Sequence, residues 1–296
     1  MFVTWTILLA LWAAKVHCAR IVDPEIGLNY LTKLPLADLS AVEGQASGGG
    51  ACDIGTRQSP IDIPTCTRES MNALRILGHS IYQSFGLVMI NTGTTAQISF
   101  PEPSVTPVIS GGPLSAEYTL AQAHFHWGET NTQGTEHATF GNYGALEAHF
   151  VHWKTEYTNF TEALNHEDGL AVFGIMFVIQ DADNPKLDEI VNNLSNIPNP
   201  EDSVDLDGGA LAWLDDVISN FYYFNYPGSL TTGTCLEVVN WIVMKKKLGI
   251  SAQQVAKFRT LINADGNTQT SYRRDVQPLK SRTVKCAAGC IRNPEL

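Results

Sequence analysis

Leu120 to Trp153 reads LAQAHFHWGETNTQGTEHATFGNYGALEAHFVHW and carries five of the chain's eight histidines. Its ends are apolar and aromatic and its middle is polar and glycine-rich, which predicts two strands joined by a turn region. In a strand, side chains two apart share a face. His124 and His126 therefore point one way and Phe125 the other. In the second strand Glu147, His149 and Val151 share one face, and Ala148, Phe150 and His152 share the opposite one. Two imidazoles from one strand and one from its neighbour can meet at a single point. Three nitrogens leave the fourth position of a tetrahedral Zn2+ open, as in catalytic zinc sites.

A His-x-His pair in an aromatic run also fits two packed core histidines. The third histidine, with a carboxylate two residues earlier on its own face, favours the metal. A metal-bound imidazole hands its other N–H to a carboxylate, an amide or a backbone carbonyl. Gln122 and Glu147 have the parity to receive those of His124 and His149.

These residues resemble the alpha-class carbonic anhydrases, whose pattern reads here as His124–Gly128, Thr135–His137 and Glu147–Trp153. The likeness extends upstream to Gln58-Ser-Pro-Ile-Asp-Ile63. Downstream it takes in Tyr226-Pro-Gly-Ser-Leu-Thr-Thr232, Val239-Asn-Trp-Ile-Val243 and Gln277-Pro-Leu-Lys280. Several long motifs in one order make it specific. It implies an α+β, β-dominated single domain: one large, mostly antiparallel twisted sheet with short peripheral helices and the metal at the floor of a cleft.

The resemblance also implies the chemistry: reversible hydration of carbon dioxide to bicarbonate. Zn2+ on His124, His126 and His149 would bring a bound water to a pKa of about 7. Carbon dioxide offers no charge to grip, and the resemblance assigns its apolar wall to Val151, Leu170, Val172, Leu230, Val239 and Trp241. It places the Thr231 hydroxyl beside the metal, with its proton given to Glu136, and has Thr232 help hold bicarbonate. Glu136 by its local sequence alone would be an exposed turn residue. A backbone carbonyl is expected to serve His126, and His137 and His152 are expected to be structural, buried and hydrogen-bonded. Extracellular members tie a cysteine before the Gln-Ser-Pro motif to one after the paired threonines, here Cys52 to Cys235; for Cys66, Cys286 and Cys290 both partners stay open.

Two positions depart from the family. Fast members carry a proton-relaying histidine after Asn-x-Gly, and here that position is Thr94. Threonine does not titrate near neutral pH, whereas histidine does. Turnover limited by proton transfer is expected, unless His166 near the rim substitutes. Thr231-Thr-Gly-Thr234 lacks the two prolines that usually follow the threonines, which predicts a more mobile wall.

The N-terminus, MFVTWTILLALWAAKVHC, has an apolar run too short to span a bilayer and reads as a secretory leader over residues 1–18. An arm over 19–51, a catalytic domain over 52–290 and a tail over 291–296 follow, the tail without the apolar segment of a lipid anchor. The formal charge of −11 argues against nucleic acid and anionic membranes as partners. Five cysteines after the leader suggest two bridges in an oxidising compartment. Asn159-Phe-Thr161 and Asn193-Leu-Ser195 are N-glycosylation triplets. A secreted, extracellular zinc enzyme is the leading expectation. The alternative is a non-catalytic binding or matrix protein on the same fold, although such proteins tend to lose a zinc histidine and this chain keeps all three.

Overall fold

The computed structural model describes residues 51–80, 86–101, 106–218 and 222–287. The expected leader, nearly all of the expected arm, the expected tail and Cys290 lie outside them.

Among the described residues, thirteen strands form one sheet. Its main path runs in the order Ser203–Leu206, Leu87–Asn91, Ala96–Ser99, Tyr118–Trp127, Leu146–Lys154, Leu170–Gln180, Val239–Met244, Tyr223–Gly228, Lys285–Ala287 and Thr67–Glu69. The two histidine strands are thus neighbours at its middle. They run antiparallel with His124 opposite His149 and His126 opposite Glu147. Residues directly opposite in a ladder share a face, so the register sets the three imidazoles side by side. A bulge between Leu120 and Gln122 interrupts the ladder just before the site.

The sheet is mostly antiparallel, as the resemblance implies, with three parallel pairings among the described residues that make it mixed. Leu170–Gln180 runs parallel to Val239–Met244 and to Leu248–Ser251, and Lys285–Ala287 runs parallel to Thr67–Glu69. A tight turn can only reverse a strand, whereas a long excursion lets the chain re-enter in the same direction. After Gln180 the chain makes such an excursion through the short helices Asp188–Asn193 and Asp215–Ile218.

Leu170-Ala-Val-Phe-Gly-Ile-Met-Phe177 is buried throughout, as its unbroken apolar run predicts. Val178 and Ile179, which continue the apolar run, are exposed together with Gln180. The strand on one side begins at Leu146, opposite Phe177, so the last three residues have a ladder partner only on the other side, in Leu248–Ser251.

The helices are short. Ala252–Phe258 starts at a capping box, with the Ser251 side chain accepting from the Gln254 amide and the Gln254 side chain reaching back to the Ser251 amide. Phe160–Ala163 begins at Asn159, whose side chain caps it.

The sheet has two apolar faces. Phe125, Ala148, Phe150, Phe173 and Trp213 belong to one cluster, on the side away from the three histidines. Val151, Leu170, Val172, Leu230, Val239 and Trp241 belong to the other. Full burial of a side chain of this size contributes about 1.5–3 kcal/mol, so both faces hold the central strands in place. Two disulfides tie distant segments onto this frame: Cys52 to Cys235, as the resemblance implied, and Cys66 to Cys286.

Candidate metal centre

His124, His126 and His149 are buried, and their ring centroids lie 4.9, 5.3 and 4.5 Å apart pairwise. Each ring spends one nitrogen on an acceptor. His124 Nδ1 donates to Gln122 Oε1 at 2.8 Å, His126 Nδ1 to the Tyr272 carbonyl at 3.1 Å, and His149 Nε2 to Glu147 Oε1 at 2.8 Å. A neutral imidazole has one N–H. The protons are then committed outward, and His124 Nε2, His126 Nε2 and His149 Nδ1 are left with lone pairs.

Those lone pairs face one another. The Nε2 atoms of His124 and His126 are 3.0 Å apart, and one ligand nitrogen from each of the three residues falls in a mutual group within 4.8 Å. Burial, reinforced by the neighbouring imidazoles, holds His124 and His126 well below the usual histidine range, which favours the neutral rings. Converging neutral nitrogen donors in a buried site fit a borderline-soft cation such as Zn2+. The donor set therefore suits the group that the resemblance implies.

Behind the donors is a second layer of bonds. Glu147 Oε1 also accepts from His137 Nδ1 at 2.7 Å, and Oε2 accepts from the His137 amide at 2.9 Å. Burial alone would raise the Glu147 carboxyl, but His137 and His149 outweigh it and hold the group well below the usual carboxylate range. His137 Nε2 is 2.6 Å from the Tyr226 hydroxyl, which donates to Ser59 Oγ at 3.0 Å. Ser59 is bonded in turn to Ser229, one residue before Leu230. A hydrogen-bonded chain thus runs from His149 to the start of the Leu230–Thr232 segment. Gly174 sits opposite His149 in the ladder; a Cβ there would come within 3.3 Å of Glu147 Oε1 and 3.6 Å of the Trp241 ring. The hydrogen side chain leaves that carboxylate its place.

Glu136 is buried, not the exposed turn residue its local sequence suggests. Its Oε1 accepts from the Arg274 amide at 2.8 Å, whereas its Oε2 has no hydrogen-bond partner among the described residues. The carboxylate lies 3.4 Å from His126 Nδ1 and 3.9 Å from His149 Nδ1. Burial, with the Glu147 charge adding to it, pushes this carboxyl up to about 7; the Arg274 amide and then the Thr231 hydroxyl hold it back. Thr231 is therefore close to Glu136, although it does not complete a well-formed hydrogen bond to Oε2.

All six expected wall residues lie in one buried cluster. Thr231 and Thr232 are half-buried at the turn that Cys235 closes, with the Cys235 amide bonded to the Thr232 carbonyl at 3.2 Å. Gly233 and Cys235 both have left-handed backbone, φ 59° and 51°. Glycine fits that region without strain, and a tight turn needs it where prolines are absent.

Thr94 is half-buried, with its hydroxyl 3.0 Å from that of Thr92. His166 stacks on Tyr157, centroids 3.8 Å apart and planes 5° apart, and bonds Glu162 at 3.0 Å. His152 faces away from the three histidines and meets His79, Nε2 to Nε2, at 2.7 Å.

Sequence reasoning did not find Tyr272, Arg274, Tyr226 or His79 as supporting residues. Tyr272 and Arg274 lie about 140 positions from what they hold, and nothing in Ser271-Tyr-Arg-Arg274 marks them. Tyr226 stood in a quoted motif, but no local signal tied its hydroxyl to His137.

The family model for eukaryotic-type carbonic anhydrases matches residues 46–288, which span the described sheet and every residue of this site. With the mixed β-dominated fold and the three convergent histidines, that match makes the chain a member of the eukaryotic-type, or alpha, carbonic anhydrase family.

Proposed function

We propose that this chain catalyses the reversible hydration of carbon dioxide to bicarbonate and a proton, with Zn2+ held by His124 Nε2, His126 Nε2 and His149 Nδ1. The observation that carries the proposal is the set of three buried lone pairs whose partner protons are all committed outward. Bound there, Zn2+ would supply Lewis acidity that makes water a nucleophile near neutral pH.

This chain's own residues supply the rest. Val151, Leu170, Val172, Leu230, Val239 and Trp241 present the apolar surface that an uncharged, linear substrate needs. Glu136 Oε2, buried and without a well-formed donor among the described residues, would accept a hydrogen bond from the Thr231 hydroxyl. The Thr231 oxygen is then free to accept a hydrogen bond from the nucleophile and so orient it. Thr232 helps hold the product. Gln122, the Tyr272 carbonyl and Glu147 keep the three imidazoles in their ligand tautomers.

Proton export is the slow part of this scheme. Thr94 carries no group that titrates near neutral pH, and His166 is clamped between Tyr157 and Glu162. Two disulfides suit an oxidising compartment and support secretion, and no helix of the described residues is long and apolar enough to cross a membrane.

The test is stopped-flow carbon dioxide hydration and zinc content measured on one sample, for the wild type and His126→Ala. About one zinc per chain with hydration, both lost in the variant, supports the reading. Zinc without hydration would leave the binding-protein alternative standing, and no zinc would overturn the site.

A further inference from the structure

Two Asn-x-Ser/Thr triplets are unused by the site. They sit in different surroundings. We propose that Asn159 is an N-glycan acceptor in the secreted protein and that Asn193 is not, an inference that rests on the secretion reading above.

In the transfer, a bond forms between Asn Nδ2 and C1 of the first sugar of a lipid-pyrophosphate-linked oligosaccharide. The C1–O bond to the lipid pyrophosphate breaks, that group leaves with the electron pair, and one Nδ2 proton passes to a base of the transferase. The product amide keeps its carbonyl oxygen and one N–H. An acceptor that suits the folded protein must therefore have a free nitrogen edge facing water.

Asn159 has that edge. It is exposed, and so is Thr161. Its Oδ1 accepts from the Glu162 amide at 2.9 Å and caps the Phe160–Ala163 turn, while its Nδ2 makes no hydrogen bond among the described residues. Glycosylation leaves Oδ1 in place, so the cap survives. The buried Phe160 and Ala163 hold the turn from beneath.

Asn193 does not. It is the half-buried last residue of Asp188–Asn193, between the buried Val191 and Leu194. Its Nδ2 donates to the Glu189 carbonyl at 2.8 Å and lies 3.4 Å from Glu189 Oε1. Its Oδ1 accepts from Asn196 at 2.8 Å, and Glu189 Oε1 also holds the Asp207 amide at 2.9 Å. A sugar on this nitrogen replaces one of its two protons and so breaks into its paired contacts with Glu189. Transfer happens as the chain enters the secretory lumen, before folding is complete. Chains modified at Asn193 then dock this helix end poorly and are depleted from the folded, secreted population.

The experiment expresses the full chain in a eukaryotic secreting host, with its own first 18 residues or with those replaced by an established leader. Protein from the medium is treated with peptide N-glycosidase in heavy-oxygen water and mapped by mass spectrometry. The expected result is a labelled aspartate at 159 and unmodified Asn193. Asn159→Gln should remove the single glycan step in gel mobility with hydration unchanged, and Asn193→Gln should not shift mobility. Bare Asn159, or labelled aspartate at 193, in the secreted protein overturns the proposal. Export only with the replaced leader would overturn the secretion reading and leave the assignment of acceptors to be read from the same map.

Discussion

The phenol ring of Tyr272 lies flat against the imidazole of His126, with planes 6° and centroids 4.9 Å apart. The carbonyl of the same residue takes the His126 Nδ1 proton. Backbone bonds with Trp127 in both directions, at 2.8 and 3.3 Å, hold Tyr272 beside the strand. One residue therefore sets both the tautomer and the plane of a proposed ligand. Removing the ring in Tyr272→Ala should weaken zinc about tenfold, the lower end for lost outer-shell partners, while Tyr272→Phe should keep wild-type affinity. Competition with a chromophoric chelator measures this, and equal affinities in all three proteins would rule out a positioning role for the ring.

Thr94 makes the second prediction. Turnover should rise with the concentration of an imidazole-type buffer, because the buffer replaces the missing carrier. Thr94→His should raise turnover at low buffer by roughly ten- to a hundredfold, up to the scale of positioned acid–base groups, and flatten the buffer dependence. A wild type indifferent to buffer would show that proton export is not limiting.

The His79–His152 contact predicts loss of stability in acid. Three short contacts surround this pair: Nε2 to Nε2, His79 Nδ1 to the Leu77 carbonyl at 2.9 Å, and His152 Nδ1 to the Ala171 carbonyl at 3.2 Å. Two neutral rings hold only two protons between them, so one contact goes without. A third proton would complete the set, but it would put a charge in the core. Burial accordingly lowers His79 to about 4 and His152 well below its usual range. The unfolded chain binds protons near pH 6.5 that the folded chain refuses until about pH 4. Stability is therefore complete above about 6.5 and falls as the pH drops through that window. From His79 alone the loss is about 3 kcal/mol. Urea unfolding at pH 7.5 and 4.5 should show a smaller fall in His79→Asn than in wild type. Equal falls would mean that the pair does not govern the acid limb.

The Cys52–Cys235 bridge closes the turn that carries Thr231 and Thr232. Breaking it in Cys52→Ser/Cys235→Ser should cost about 2–4 kcal/mol of stability. Because no proline stiffens residues 233–234, hydration should also fall at temperatures where the variant is still folded. A loss of stability with full turnover at 15 °C would separate the bridge from the positioning of the threonines.

Much of the site was legible in the chain because the decisive pattern is local. Strand parity depends only on neighbours two apart, so His124 and His126 on one face, and Glu147 with His149 on one face, follow from the sequence. Gln122 and the capping box at Ser251 are equally short-range. The unbroken apolar run from Leu170 suits a buried strand, but where burial stops, at Phe177, depends on where the neighbouring strand begins.

Tertiary packing decided the rest. The register that puts His124 opposite His149, the Tyr272 ring and carbonyl on His126, the Arg274 amide on Glu136 and the His79–His152 pair all join residues far apart in the chain. So does the choice of Cys286 as the partner of Cys66. The parallel strands were also hidden, because direction in a sheet is set by how the long connections return. Residue types and local spacing determined which atoms could act as ligands. Only the fold determined which proton each ring keeps, because that depends on an acceptor brought in from elsewhere.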